Sequence, residues 1–310
     1  MEAPYSFAVR IAHLSDLHLL SLEGVVPYRL LNKRLTGYLN IRFHRKSVHK
    51  PRAVKAAARA LAGLGVDHVV ITGDVSNLAL ENEFDLVRGF LADDLGLPPD
   101  RVSLVPGNHD TYTAGSHRSR RFARAFATYL GSDLPELTLP GEVFPFVHLR
   151  GPAAIIGLST ALPRPPLVAS GEIGRPQLDA LAKILVHPAL QGRTPVILQH
   201  HPIHNPPSFA RRMLEGLSDA REEAEVLAGV RRGLILHGHL HRRVQRRLAT
   251  DRGHMEAVGA TSASLLHESD ARMAGFNVYE IGEDGALGTI ASHRMDQETE
   301  EFREVGIPGA

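Results

Sequence analysis

Short apolar runs alternate with longer stretches of helical spacing along most of this chain. Phe7 to Leu14, Val66 to Thr72 and Arg101 to Val105 are rich in Val, Ile and Leu, and each run reads as a buried strand. Pro51 to Leu64 is Ala-rich with Pro in its first turn and reads as a helix, as do roughly Glu81 to Asp93 and His117 to Leu130. Further strands are predicted over Val143–Leu149, Ala153–Leu158, Pro195–Gln199 and Gly233–Leu236, with helices over Arg175–Val186 and Asp219–Arg231. After His241 the pattern is nearly all strand: Val244–Ala249, His254–Val258, Phe276–Ile281 and Thr289–His293. This alternation predicts a sheet covered by helices, with parallel neighbours early in the chain. The late strands predict a second sheet that completes a layered sandwich.

The residues that follow the strands carry the chemistry. Asp16-Leu17-His18, Gly73-Asp74, Gly107-Asn108-His109-Asp110, His200-His201-Pro202 and Gly238-His239-Leu240-His241 each begin where a short apolar run ends. In an α/β sheet the carboxyl ends of the strands share one edge, and ligands bind in the crevice there. Five loops at one edge can therefore converge on one cavity, held by rigid strands. Within Asp16-x-His18 and His239-x-His241, residues two apart on an extended chain point the same way, so each pair can offer two ligands together.

Composition sharpens this picture. The chain has 310 residues, enough for one large domain. It has no Cys, which excludes disulfides, thiolate metal sites and thiol nucleophiles. Any metal must be held by His, Asp, Glu or Asn, and 18 histidines are available. Asp, Asn and His together suit divalent Mn, Fe, Zn or Ni at five or six coordination, not a closed structural zinc site. Neither a signal peptide nor an apolar run of membrane-spanning length is visible, so a cytoplasmic location is the expectation. Net charge is only +1, but Gly24 to Val66 contains no Asp or Glu and many Lys and Arg.

Taken in order, the five motifs resemble those of the calcineurin-like metallophosphoesterases, and most of all the bacterial group that includes cyclic-nucleotide phosphodiesterases. The resemblance covers Asp16 to His241. It implies a four-layer α-β-β-α sandwich, two mixed β-sheets flanked by helices, over residues 1–295. It also implies two divalent ions: Asp16, His18 and His241 on the first, Asn108, His200 and His239 on the second, and Asp74 bridging. A hydroxide between them would attack phosphorus, and His109 would contact the phosphoryl group and protonate the leaving oxygen, with Asp110 orienting His109. The implied partner is a small organic phosphate, hydrolysed as a phosphodiester or also as a monoester.

Several residues carry two readings. Either His200 or His201 can serve as ligand, and the resemblance favours His200. His13 and His237 read as packed strand residues. His204 can touch substrate or sit in a solvated loop. Arg118, Arg120, Arg121 and Arg124 can meet phosphate, but a solvated basic face is the simpler reading. Arg243 and Arg247 should face away from Arg242 and Arg246. Tyr28 to Lys46, within an insert near residues 25–50, has Leu31, Leu35, Tyr38 and Leu39 at helical spacing among basic residues. Such a segment can pack on its own domain or lie on an anionic membrane surface. The second option opens an alternative function, a peripheral membrane pyrophosphohydrolase of a sugar-nucleotide lipid of the UDP-diacylglucosamine type. A non-catalytic scaffold is disfavoured because every ligand position is filled. Nucleic acid is disfavoured by the near-neutral charge. An oligomer stays open. Residues 296–310 are acidic and are expected to form a flexible tail.

Overall fold

The computed structural model describes residues 7–23, 25, 34–35 and 49–309. Two six-stranded sheets pack face to face. The first runs β12 (Phe302–Val305), β11 (Leu287–Met295), β10 (Gly275–Gly282), β1 (Phe7–Leu14), β2 (His68–Thr72), β3 (Val102–Val105). The second runs β4 (Phe146–Arg150), β5 (Ala153–Gly157), β6 (Thr194–Leu198), β7 (Arg232–His237), β9 (Gly253–Gly259), β8 (Val244–Thr250). β1, β2 and β3 are parallel, as are β5, β6, β7 and β9, while β4, β8, β10, β11 and β12 each join their neighbours antiparallel. Both sheets are thus mixed, as the family resemblance implies.

Helices cover the outer faces. α1 (Pro51–Ala62) and α2 (Glu81–Gly89) lie on the first sheet, and α5 (Arg175–Leu185) and α7 (Ala220–Leu227) on the second. Ile155 belongs to the cluster between the sheets, whereas its neighbour Ile156 packs with Leu178, Leu181 and Leu227 under the helices. Strands buried on both faces have no polar side to show, which is why they read as unbroken apolar runs.

Three expectations change. The late strands do not form one sheet: β8 and β9 extend the second, and β10 to β12 extend the first. The helix expected over His117–Leu130 is broken into α3 (Ala114–Arg118), α4 (Arg121–Ala125) and a 3-10 turn, because Arg120 takes a left-handed φ of 50°. The acidic C-terminal stretch contributes β12, whose backbone pairs with β11 from Met295↔Phe302 to Ser292↔Val305. Strand pairing needs only backbone groups, so the polar composition does not prevent it. A helix α6 (Phe209–Glu215) also appears, with no buried residue to announce it in the sequence. Among the described residues no helix is long and apolar enough to cross a membrane.

Candidate metal centre

The motif loops come from both sheets. Those after β1, β2 and β3 meet those after β6 and β7, so the crevice lies at the carboxyl ends of two facing sheets and not along one edge. The loops are tied by their own backbones: Asp16 N–H donates to Gly73 O at 3.0 Å, His18 N–H to Asp74 O at 3.0 Å, and Gly238 N–H to His200 O at 3.1 Å. Their conformation departs from the extended form expected. Asp16, His18, Asp74, His239 and His241 all have left-handed φ, between 46° and 67°. Few non-glycine residues adopt this region, and their clustering marks a functional loop set. Between Asp16 and His18, Leu17 is turned wholly into the core. The paired side chains converge because the chain curls, not because it is straight.

The donor atoms fall into two groups. Asp16 Oδ1 lies 3.1 Å from His241 Nε2 and 3.9 Å from His18 Nε2, and the two nitrogens are 3.2 Å apart. Asn108 Oδ1 lies 3.1 Å from His200 Nε2 and 3.2 Å from His239 Nδ1, and His200 Nε2 is 3.4 Å from Asp74 Oδ2. Asp74 also groups with Asp16 and His18, so it belongs to both sets. Metal–ligand bonds of about 2.1 Å put neighbouring ligands about 3 Å apart and opposed ones about 4.2 Å apart. The observed spacings lie in that window. Asp16 Oδ1 is fully buried and has no hydrogen-bond partner among the described residues, despite His241 nearby. An orphaned carboxylate oxygen there is expensive without a cation. The donor set fits two divalent ions.

Electrostatics agree. Burial opposes ionisation of Asp16 and Asp74, but His241 beside the first and His200 beside the second hold both carboxyls below their usual value. Burial, reinforced by His200, pushes His239 down to about 3, so it is neutral and able to ligate. Burial would also lower His200, yet Asp74 raises it to about 9. The carboxylate that draws a proton to His200 draws a metal ion equally, and the two compete for Nε2.

A family model of the calcineurin-like phosphoesterases matches residues 9–243. The chain belongs to that family. It is therefore a metal-dependent phosphoric ester hydrolase of the kind that uses two divalent ions. No curated protein is significantly similar in sequence. The fold resembles a dimetal phosphatase from Danio rerio at a TM-score of 0.56 and 15% identity, covering 98% of this chain and all of that one. It also resembles a purple acid phosphatase from yellow lupin (Lupinus luteus) seeds at a TM-score of 0.61 and 10% identity, covering 97% of this chain and 53% of that one.

Among the residues this calcineurin-like chain offers, His200 and His201 are separated by their bonds. His200 Nδ1 donates to Thr72 O at 2.7 Å and turns Nε2 to the centre. Both nitrogens of His201 are taken, by Thr160 Oγ1 and Ala169 O, each at 2.8 Å. His109 lines the metal pocket, with Nδ1 on Asn77 O at 2.7 Å and its ring stacked on Tyr112. Asp110 does not orient it. The Asp110 carboxylate turns the other way and accepts from Val75 N, Ser76 N, Ser76 Oγ and Gly107 N, clamping the Gly107 turn to the loop after β2. Burial and the Asp74 charge push it up to about 7 against those donors.

His204 does not reach the metal pocket either; it lines a separate one with His237, Arg242, Arg243 and Arg246. His13 is packed as expected, between Tyr279 Oη at 3.0 Å and Thr72 Oγ1 at 2.8 Å. Arg120 and Arg121 pair with Glu142 and Glu81 and not with the centre. Arg243 is buried, while Arg247 pairs with Glu256. Of the basic insert, Tyr28 to Lys46, only Arg34 and Leu35 lie within the described residues. Arg34 is buried, and its Nε donates to Leu78 O at 2.7 Å, so at that point the insert packs on its own domain. One neighbour of the centre was not expected: His49, whose ring lies 4.7 Å from that of His18.

Proposed function

We propose that the chain hydrolyses phosphodiesters of small organic phosphates. The carrying observation is the pair of donor groups sharing Asp74, with His109 opening onto the same pocket. Asp16, His18, Asp74 and His241 would hold one ion, and Asp74, Asn108, His200 and His239 the other. Two divalent ions so held supply a nucleophile at neutral pH and a positive clamp for phosphoryl oxygens. The Asn77 carbonyl fixes His109 with its proton on Nδ1, which assigns substrate chemistry to Nε2. Protonated there, His109 delivers a proton to the departing oxygen.

The pocket has a volume near 370 Å³, and its wall includes Ala169, Leu240 and Leu265 beside Arg211, His267 and Arg272. The apolar stretch can receive an organic ester substituent, of which a diester carries two. Cyclic nucleotides are the natural diesters to try first. The test loads the chain with Mn and compares bis-p-nitrophenyl phosphate, p-nitrophenyl phosphate and cyclic nucleotides. We expect kcat/KM for the synthetic diester to exceed that for the monoester by about tenfold or more, a difference of at least about 1.4 kcal/mol in barrier. A clear preference for the monoester would overturn the diester reading.

A further inference from the structure

We propose that His49 is a further protein ligand of the first metal position, binding through Nε2. The inference rests on the dinuclear reading above and adds to it a residue that none of the five motifs contains.

Its ligand nitrogen lies within 4.8 Å of those of His18 and His241, and the three ligand atoms lie within that distance of one another. The His49 ring meets the His18 ring at 72° and the His241 ring at 84°, with centroids 4.7 and 5.7 Å away.

The other end of the imidazole is fixed. His49 Nδ1 lies 2.8 Å from Ser264 Oγ. The Ser264 hydroxyl donates to Asp16 O at 3.4 Å, beside Ser262, which donates to the same carbonyl at 2.6 Å. We assign the tautomer in which Ser264 sends its own proton to Asp16 O and accepts from His49 Nδ1–H. That tautomer puts the lone pair on Nε2. A ligating imidazole that gives its second N–H to a fixed oxygen is the arrangement His200 also shows with Thr72 O. The backbone is equally pinned, by a bridge from His49 to Leu265 and by Lys50 N–H donating to Ser264 O at 2.8 Å. The strand-like clasp therefore delivers His49 from the end of the basic insert to the centre.

The consequence is asymmetry. The first position gains Asp16, His18, His49, Asp74 and His241, five protein donors against four for the second. The first ion is then held more tightly and has less room for exogenous ligands, so substrate enters on the second.

The test is metal binding by calorimetry, together with the electronic spectrum of the Co(II)-loaded chain, for wild type, His18→Ala, His49→Ala and His49→Gln. Gln keeps a donor for Ser264 Oγ and fills most of the imidazole volume, so it carries the test if His49→Ala does not fold. We expect both His49 variants to lose at least tenfold in affinity at the tighter site, to keep the weaker site, and to shift the Co(II) spectrum. Unchanged affinities and spectrum in a folded His49 variant, with His18→Ala impaired, would overturn the role of His49 alone. A wild-type chain that binds no ion would overturn it together with the dinuclear reading.

Discussion

Gly107→Ala tests the geometry of the shared ligand directly. Gly107 opens the Gly-Asn-His-Asp turn, and its backbone passes against Asp74. A Cβ built there lies 2.7 Å from Asp74 Cγ and closer still to its Oδ1 and backbone nitrogen. Neither partner can yield cheaply. The Asp74 nitrogen belongs to a backbone loop, and Asp74 Oδ1 accepts from His109 N–H at 2.8 Å. Overpacking of this kind costs about 1–3 kcal/mol. Breaking a hydrogen bond to a charged group adds about 1.5–3 kcal/mol. The sum, about 2.5–6 kcal/mol, is a large share of a typical folding stability. At about 2.1 cal/mol/K per residue, it lowers Tm by roughly 4–9 °C for a chain of this length. The displaced carboxylate should also lower affinity at both metal positions at once, whereas loss of Asn108 should affect one. Scanning calorimetry with metal analysis of the dialysed protein reads both effects. A variant with wild-type Tm and two ions per chain would refute the account of Asp74 as the shared ligand wedged against Gly107.

Three further outcomes are expected. His109→Ala should keep both ions and lose about 10²–10⁴ in kcat on alkyl esters, but much less on p-nitrophenyl esters, whose leaving group needs no proton; an emptied metal site would contradict its role. Chelation should lower Tm by about 4 °C per site, because ions at 100-fold over Kd stabilise by about 2.7 kcal/mol; equal Tm values for loaded and stripped protein would remove the link between loop order and metal. Glu223 is fully buried, its Oε1 has no hydrogen-bond partner among the described residues, and burial pushes its carboxyl from 4.5 up to about 8. The native state thus holds a proton that the unfolded state releases, so this contribution is complete below about pH 4.5 and is lost as pH rises through about 8. Glu223→Gln should flatten stability between pH 6 and 8 by about 2 kcal/mol; parallel urea-denaturation profiles for the two proteins would refute it.

The candidate metal centre was legible because its donor residues sit where apolar runs end, and such ends are visible in a sequence. The errors came from reading chain neighbours as spatial neighbours. Asp110 follows His109, yet the turn that aims His109 at the pocket sends Asp110 to Ser76 and Gly107. His204 follows His200 by four residues, yet it opens into another pocket. The opposite case is His49, which no motif contains, because it is placed by Ser264, more than two hundred residues away. Its only sequence signal was a histidine just before the Pro51 helix start. The histidine count was similarly ambiguous. His68 Nε2 and His148 Nδ1 share Ser103 Oγ at 2.7 and 2.6 Å, linking the two sheets at buried positions with no part in the centre.

The left-handed conformation of the candidate ligand residues was the feature least visible in advance, and it bears on how the site can exist. Asp16, His18, Asp74, His239 and His241 would each be relieved by glycine, which cannot bind metal. At about 1–2 kcal/mol for each residue, the strain over five is roughly 5–10 kcal/mol, comparable to the net stability of a domain. Such a conformation persists only if its surroundings over-determine it. Here the loops are bonded to one another through Gly73 O, Asp74 O and His200 O, and they hang from strands with no exposed surface at β2, β3 and β6. Ions bound there would add a further restoring force, since each donor group draws on at least two loops. The loops, not the sheets, are therefore where the stripped and loaded proteins should differ, and hydrogen exchange at His18, Gly238 and His239 amides is the place to see it.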